Sequence, residues 1–145
     1  MPAQVKRVLP MPVSGRWIDA ERTVFSVTFS DPWTFDDFVV FDEATIAEME
    51  ALEHPVDTIV DVSGTRLTPD RMFLMGTRIR TRQARNHRMM VIVGLDAVLR
   101  ALMSMGVRTN PQVRLHVVTA RTHDEAVRAI ARFRERLPAE HERAR

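Results

Sequence analysis

The sequence predicts an α/β domain: a single mixed sheet of about five strands packed with about four helices, in the order ββαβαβαβα. Two observations predict it. Short runs rich in apolar and β-branched residues recur at Thr23–Phe29, Thr58–Val62, Met89–Val93 and Val113–Thr119. Amphipathic stretches of helical length separate each of these runs from the next, as crossovers between parallel strands require. At 145 residues and 45% hydrophobic side chains, the chain is one domain by length and can bury a core without staples.

Taken in order, residues 1–15 read as an irregular arm, because Pro2, Pro10, Pro12 and Gly15 oppose a regular element. The domain proper spans 16–137. Its first strand, Arg16–Asp19, turns at Ala20-Glu21-Arg22 into Thr23–Phe29, where Phe25, Val27 and Phe29 share one face. Thr34-Phe35-Asp36-Asp37 has the form of a capping box with Asp in place of Glu. The helix it opens should run to about Leu52, burying Phe35, Phe38, Ile46, Met49 and Leu52 and exposing Glu43, Glu48 and Glu50. His54-Pro55 stops it.

Thr58–Val62 is apolar enough for a central strand, and a second helix is expected over Asp70–Asn86 with Asp70 as its N-cap. Met72, Gly76 and Ile79 fall on one side of it. Gly76 costs that helix about 1 kcal/mol relative to Ala, which close packing on the sheet would explain. Met89–Val93 is apolar on both faces and should be covered on both. Asp96 should open a third helix that Gly106 stops. A loop at Asn110-Pro111 leads to the fifth strand. The last helix opens at Thr122-His123-Asp124-Glu125, buries Ala126, Ile130, Phe133 and Leu137, and should end at Pro138, leaving 138–145 as a charged tail.

Several function classes are excluded or disfavoured by composition. There is no Cys, so disulfides, thiolate metal sites and a Cys nucleophile are absent. The His residues at 54, 87, 116, 123 and 141 show no HxH or HxxxH spacing, so neither a metal nor a cofactor is expected. No GxSxG, P-loop or GxGxxG occurs, and an enzyme is not expected. No apolar run spans a bilayer and no signal peptide is evident, so the expected location is cytoplasmic.

Charge is divided unevenly. Residues 1–61 carry 4 basic and 12 acidic side chains, and residues 62–145 carry 17 and 7. Every basic residue except Lys6 is Arg. Opposite halves can pair within one molecule or between two, so a homodimer is among the expected partners. Nucleic acid is not, because aromatic stacking platforms are scarce beside the arginines.

The chemistry-bearing stretch is DTIVDVSGTRLTPD, 57–70: a buried strand that delivers a polar loop to the sheet edge. It nominates Asp61, Ser63, Gly64, Thr65, Arg66, Thr68, Asp70 and Arg71 as partner or ligand contacts. Arg78, Arg82 and Arg85 form a basic face on the helix that follows, suited to carboxylates or phosphates. Nine Met, among them Met72, Met75, Met89, Met90, Met103 and Met105, could line a cavity for an apolar ligand.

DPWTFDDF (31–38), HPVDTIVDVSG (54–64), HRMMVIVG (87–94) and RLHVVTARTHDEAVRAI (114–130) occur in an order and spacing that resembles the STAS domain of anti-sigma factor antagonists. More narrowly, the chain is similar to the SpoIIAA-like group of small stand-alone bacterial domains, grouped by fold with CRAL-TRIO lipid carriers. The resemblance implies a non-enzymatic regulatory domain whose loop after the central strand meets a protein partner, with lipid or apolar-ligand binding as the alternative. In that family a Ser at the helix start is phosphorylated. Here Asp70 stands about where it would be, within Thr68-Pro69-Asp70-Arg71, and cannot accept a phosphate from a Ser/Thr kinase. On this reading Ser63→Glu or Arg71→Glu should abolish partner capture and leave the fold intact.

Overall fold

The computed structural model describes residues 11–109 and 115–143. Its elements are β1 (Val13–Trp17), β2 (Val24–Phe29), α1 (Phe35–Glu50), β3 (Val56–Asp61), α2 (Pro69–Thr81), β4 (His87–Val93), α3 (Ala97–Thr109), β5 (His116–Ala120) and α4 (His123–Arg143). One sheet holds the strands in the order β1-β2-β3-β4-β5. The β1–β2 pair is antiparallel and the remaining pairs are parallel. This is the α/β class and element order expected from the sequence, with β3 in the centre.

Each parallel crossover steps to the next strand in the same direction, and right-handed crossovers therefore put α1, α2 and α3 on one face of the sheet. Phe25, Val27 and Phe29 of β2 and Val60 of β3 point to that face and join Phe38, Met75, Leu95 and Leu99 in one core. Val24, Ile59, Met89, Val91 and Val93 point the other way, onto Ala126 and Ile130 of α4. The alternation of β2 and the two-sided burial of β4 follow directly.

Several boundaries differ from expectation. Strand β1 begins at Val13, so Gly15 lies inside it: a Cβ there would come within 2.4 Å of the Phe25 ring, which occupies the space. The Pro2 and Pro10 part of the arm, Asn110-Pro111, residues 113–114 and residues 144–145 lie outside the described residues. Helix α2 is N-capped by Thr68, whose Oγ1 accepts from the Arg71 N–H; Pro69 takes the first helical position, which needs no donor, and Asp70 sits in the first turn. It stops at Thr81 instead of Asn86 because the chain is needed elsewhere. Arg85 donates its backbone N–H to Glu50, and Asn86 Nδ2 donates to the carbonyls of Met49, Leu52 and His54. Arg82 and Arg85 are therefore not on a helix face.

The capping box at Thr34 and Asp37 is formed, and Asp96 and Thr122 cap α3 and α4 through the N–H groups of Leu99 and Glu125. Helix α3 runs through Gly106 to Thr109. Helix α4 continues past Pro138 to Arg143. A proline keeps a helical φ and removes a single backbone bond, which a helix of 21 residues anchored along its first turns withstands.

Candidate functional site

The loop 61–70 is a knot of internal bonds. Asp61 Oδ1 accepts from both the N–H and the hydroxyl of Ser63, closing an Asx turn. Thr65 Oγ1 accepts from Trp33 Nε1 at 2.6 Å and donates to Asp31, whose other oxygen accepts from the Arg66 N–H. The Thr65 hydroxyl, the Arg66 N–H and the Arg71 charge hold the Asp31 carboxyl below its usual range. Arg71 donates to the carbonyls of Trp33 and Arg66 and lies over the Trp33 ring, 4.5 Å from its centroid. Trp33 is 3% exposed, so this arrangement roots the loop in the core. Gly64 and Gly94 allow the close passage: a Cβ on Gly64 would meet the Phe29 carbonyl at 2.9 Å, and one on Gly94 would meet Ser63 at 2.7 Å.

Of the residues nominated in this loop, Thr65, Thr68 and Arg71 are engaged in holding it. Ser63, Gly64, Arg66 and Asp70 are exposed at the C-terminal ends of the parallel strands, with Asp61 half-buried beside them. Arg71 cannot be replaced without disturbing Trp33, which changes the expectation for Arg71→Glu; Arg66 is the cleaner probe.

Part of the uneven charge is paired inside one molecule. Arg78 Nε meets Asp42 at 2.6 Å and its Nη2 lies 3.3 Å from Glu43; Arg82 also pairs with Glu43, and Arg85 reaches the backbone carbonyl and carboxylate of Glu50. Burial pushes the Asp42 carboxyl up despite Arg78, while Arg82 holds Glu43 down. The nominated arginines are thus a seam joining α2 and the loop after it to α1.

Beneath that seam lies a concavity of the kind that the methionines were expected to line. A cavity of about 610 Å³ lies between the sheet and α1, α2 and α3. Its lining is chiefly apolar, with Val27, Phe29 and Val60 from the sheet, Phe38 and Met49 from α1, and Met72 and Met75 from α2. Met90 and Met103 line it as well, so four of the six methionines nominated for such a role reach it; Met89 packs under α4 instead. Gly76 lines it too, and an added Cβ there would meet nothing within 4 Å, so close packing is not the reason for that glycine. Phe73 and Leu102 line the cavity while being 69% and 45% exposed, which puts its mouth between α2 and α3. From the 61–70 stretch only Val62, Leu67 and Pro69 border it and Asp61 is a strand residue turned away, so the polar loop flanks the cavity without entering it.

Thr58 and His87 are the polar side chains that the sheet itself contributes, Thr58 Oγ1 lying 2.8 Å from His87 Nε2. Burial lowers the His87 pKa to about 4, against the raising effects of Asp57 and a backbone bond to Met89. The signal for this site was in the sequence only as a Thr and a His at the N-terminal ends of neighbouring strands, which carries no recognisable spacing.

On the opposite face Asp57 is fully buried and accepts from Arg88 Nε and Nη2 and from Arg134 Nε. Arg134 also donates to the Thr23 carbonyl, tying α4 to β2 and β3. His116 is exposed and stacks on Phe133, 4.9 Å between centroids. Among the described residues no group of His, Asp or Glu is placed to hold a metal ion, and no helix is long and apolar enough to cross a membrane.

Comparison of the chain with protein families, with curated proteins and with solved structures returned no match.

Proposed function

We propose that this protein is a non-enzymatic binding domain for a small apolar ligand, held between the sheet and α1, α2 and α3. The observation that carries this reading is the 610 Å³ cavity, inside the roughly 300–1,000 Å³ range of small-molecule sites, with a mouth framed by exposed Phe73 and Leu102. A well-packed core of this size leaves few voids larger than a water molecule. Polar groups on α1 and just past the end of α2 are already bonded: Thr45 and Gln83 to backbone carbonyls of Phe41 and Ile79, Asp42 to Arg78, Arg82 to Glu43. Such walls hold an apolar body and offer no pair of free groups for acid–base chemistry.

The test is saturable binding of diphenylhexatriene, read by its fluorescence, to the wild type and to Gly76→Phe. The new ring projects from α2 into open space and should weaken binding about tenfold or more. Equal binding by both proteins, or none by either, would overturn the reading.

A second reading follows the STAS-like resemblance: the exposed Ser63, Arg66 and Asp70 meet a protein partner. The site suits it because these groups crown the C-terminal ends of parallel strands. Arg66→Glu should then lose a partner recovered by the wild type and retain diphenylhexatriene binding; an unchanged set of recovered proteins counts against it.

A further inference from the structure

One charge on the cavity lining has no partner of opposite sign. Among the described residues, the charged side chains that line the cavity are Asp42, Arg80 and Arg82. Asp42 is engaged by Arg78 at 2.6 Å and Arg82 by Glu43 at 3.1 Å. Arg80 meets no carboxylate among the described residues. Its Nη2 donates instead to Thr77 Oγ1 at 3.2 Å, and that hydroxyl donates to the Phe73 carbonyl. Phe73, Thr77 and Arg80 follow one another at steps of four and three along one stripe of α2, and all three line the cavity. The exposed guanidinium therefore stands on the same rim as the ring that frames the mouth. Its place in the last turn of α2 also complements the negative helix end.

We propose that the ligand is a long-chain carboxylate, its hydrocarbon chain among the methionines of the cavity and its head on Arg80. This rests on the cavity being a ligand site. A guanidinium presents parallel N–H donors that match the two oxygens of a carboxylate. The apolar walls take the chain, while the head stays at an exposed rim and keeps part of its water, so no charge is carried into the core. One uncompensated cation suits one negative charge. A phosphate monoester would bring a second, with no free cation on the lining to meet it. An ammonium would face Arg80 as a like charge, and Asp42 is already engaged by Arg78. An alcohol would fill the cavity as well but forgo the charge-assisted bonds.

The experiment measures dodecanoate, dodecanol, dodecylammonium and dodecyl phosphate by displacement of diphenylhexatriene near neutral pH. Wild type should hold dodecanoate about threefold to tenfold more tightly than dodecanol, the worth of one exposed charge pair with good geometry, and dodecylammonium least tightly. Dodecyl phosphate should bind no more tightly than dodecanoate. Arg80→Gln should bind diphenylhexatriene as the wild type does and lose the preference for dodecanoate. Arg100→Gln removes the same charge from an exposed position on α3 that does not line the cavity, so it should keep that preference. No preference for dodecanoate in the wild type, tighter binding of the phosphate, an undiminished preference in Arg80→Gln, or an equal loss in Arg100→Gln would overturn the proposal, while diphenylhexatriene binding leaves the cavity reading standing. Failure of the wild type to bind diphenylhexatriene would remove both.

Discussion

Single residues decide how this domain responds to pH and to small changes of backbone. His87 has a folded-state pKa of about 4, below the ordinary value of 6.5, because its charged form is disfavoured by burial. The unfolded chain therefore takes up the proton first as pH falls, and stability should decline between about pH 6.5 and pH 4, by at most about 3 kcal/mol. Asp31 and Glu43, held low by their partners, add a loss only at lower pH, as protonation breaks those bonds. Urea titrations at pH 7 and pH 5 should show this slope in the wild type and a flatter one in His87→Leu. A slope identical in both proteins would assign it to other groups. Gly94 is a second such residue: with φ +94° and Ser63 at 2.7 Å from an added Cβ, Gly94→Ala should destabilise by about 1–3 kcal/mol. Gly76→Ala, in open space on a helix, should stabilise by about 1 kcal/mol. Thermal unfolding of the two variants side by side checks both signs.

Among the elements, α4 and α2 are held by opposite means. Helix α4 buries Ala126 and Ile130 on the sheet and is fastened by Arg134 to the fully buried Asp57. Removing Asp57 leaves Arg88 and Arg134 together without their shared anion. Asp57→Ala should therefore cost about 3–5 kcal/mol, whereas Arg134→Met, which leaves Arg88 on Asp57 and gives up a side chain already 34% exposed, should cost about 1 kcal/mol. Comparable losses for the two variants in denaturant titration would refute this division of labour. Helix α2 by contrast has Met75 as its one buried residue, leaves Phe73 exposed, and is joined to α1 by Arg78 and, just past its end, by Arg82. Elements were also the scale best read from sequence. The caps at Thr34, Asp96 and Thr122 and the alternation Phe25, Val27, Phe29 are local patterns with a local physical cause. The end of α2 was not legible, because the bonds that draw Arg85 and Asn86 away go to Glu50, Met49, Leu52 and His54, residues more than thirty positions distant.

For the whole molecule, the two faces of the sheet differ in kind, and that difference was the least legible feature. The alternation along β2 and β4 says that both faces are covered; it does not say that three helices standing over one of them leave a cavity, because a void depends on how far α2 stands from strands it never adjoins in sequence. The stretch 57–70 is rich in polar groups, of which Thr65 and Arg71 hold Trp33 in place, and the concavity lies behind its apolar members Val62, Leu67 and Pro69. The same asymmetry predicts where motion is concentrated. Helix α2 has few buried apolar contacts and a salt-sensitive seam, the features of a region that opens at low free energy, while β3, β4 and α4 form the filled side. Hydrogen exchange should find α2 amides opening well before those of β3 and β4, and added salt should widen the gap by screening Arg82 and Glu43. A bound apolar ligand touches both α2 and the sheet, so saturating diphenylhexatriene should protect α2 by more than it protects α4. Uniform protection across the two helices would mean that the ligand acts on global stability alone and that α2 is not the cover of the cavity.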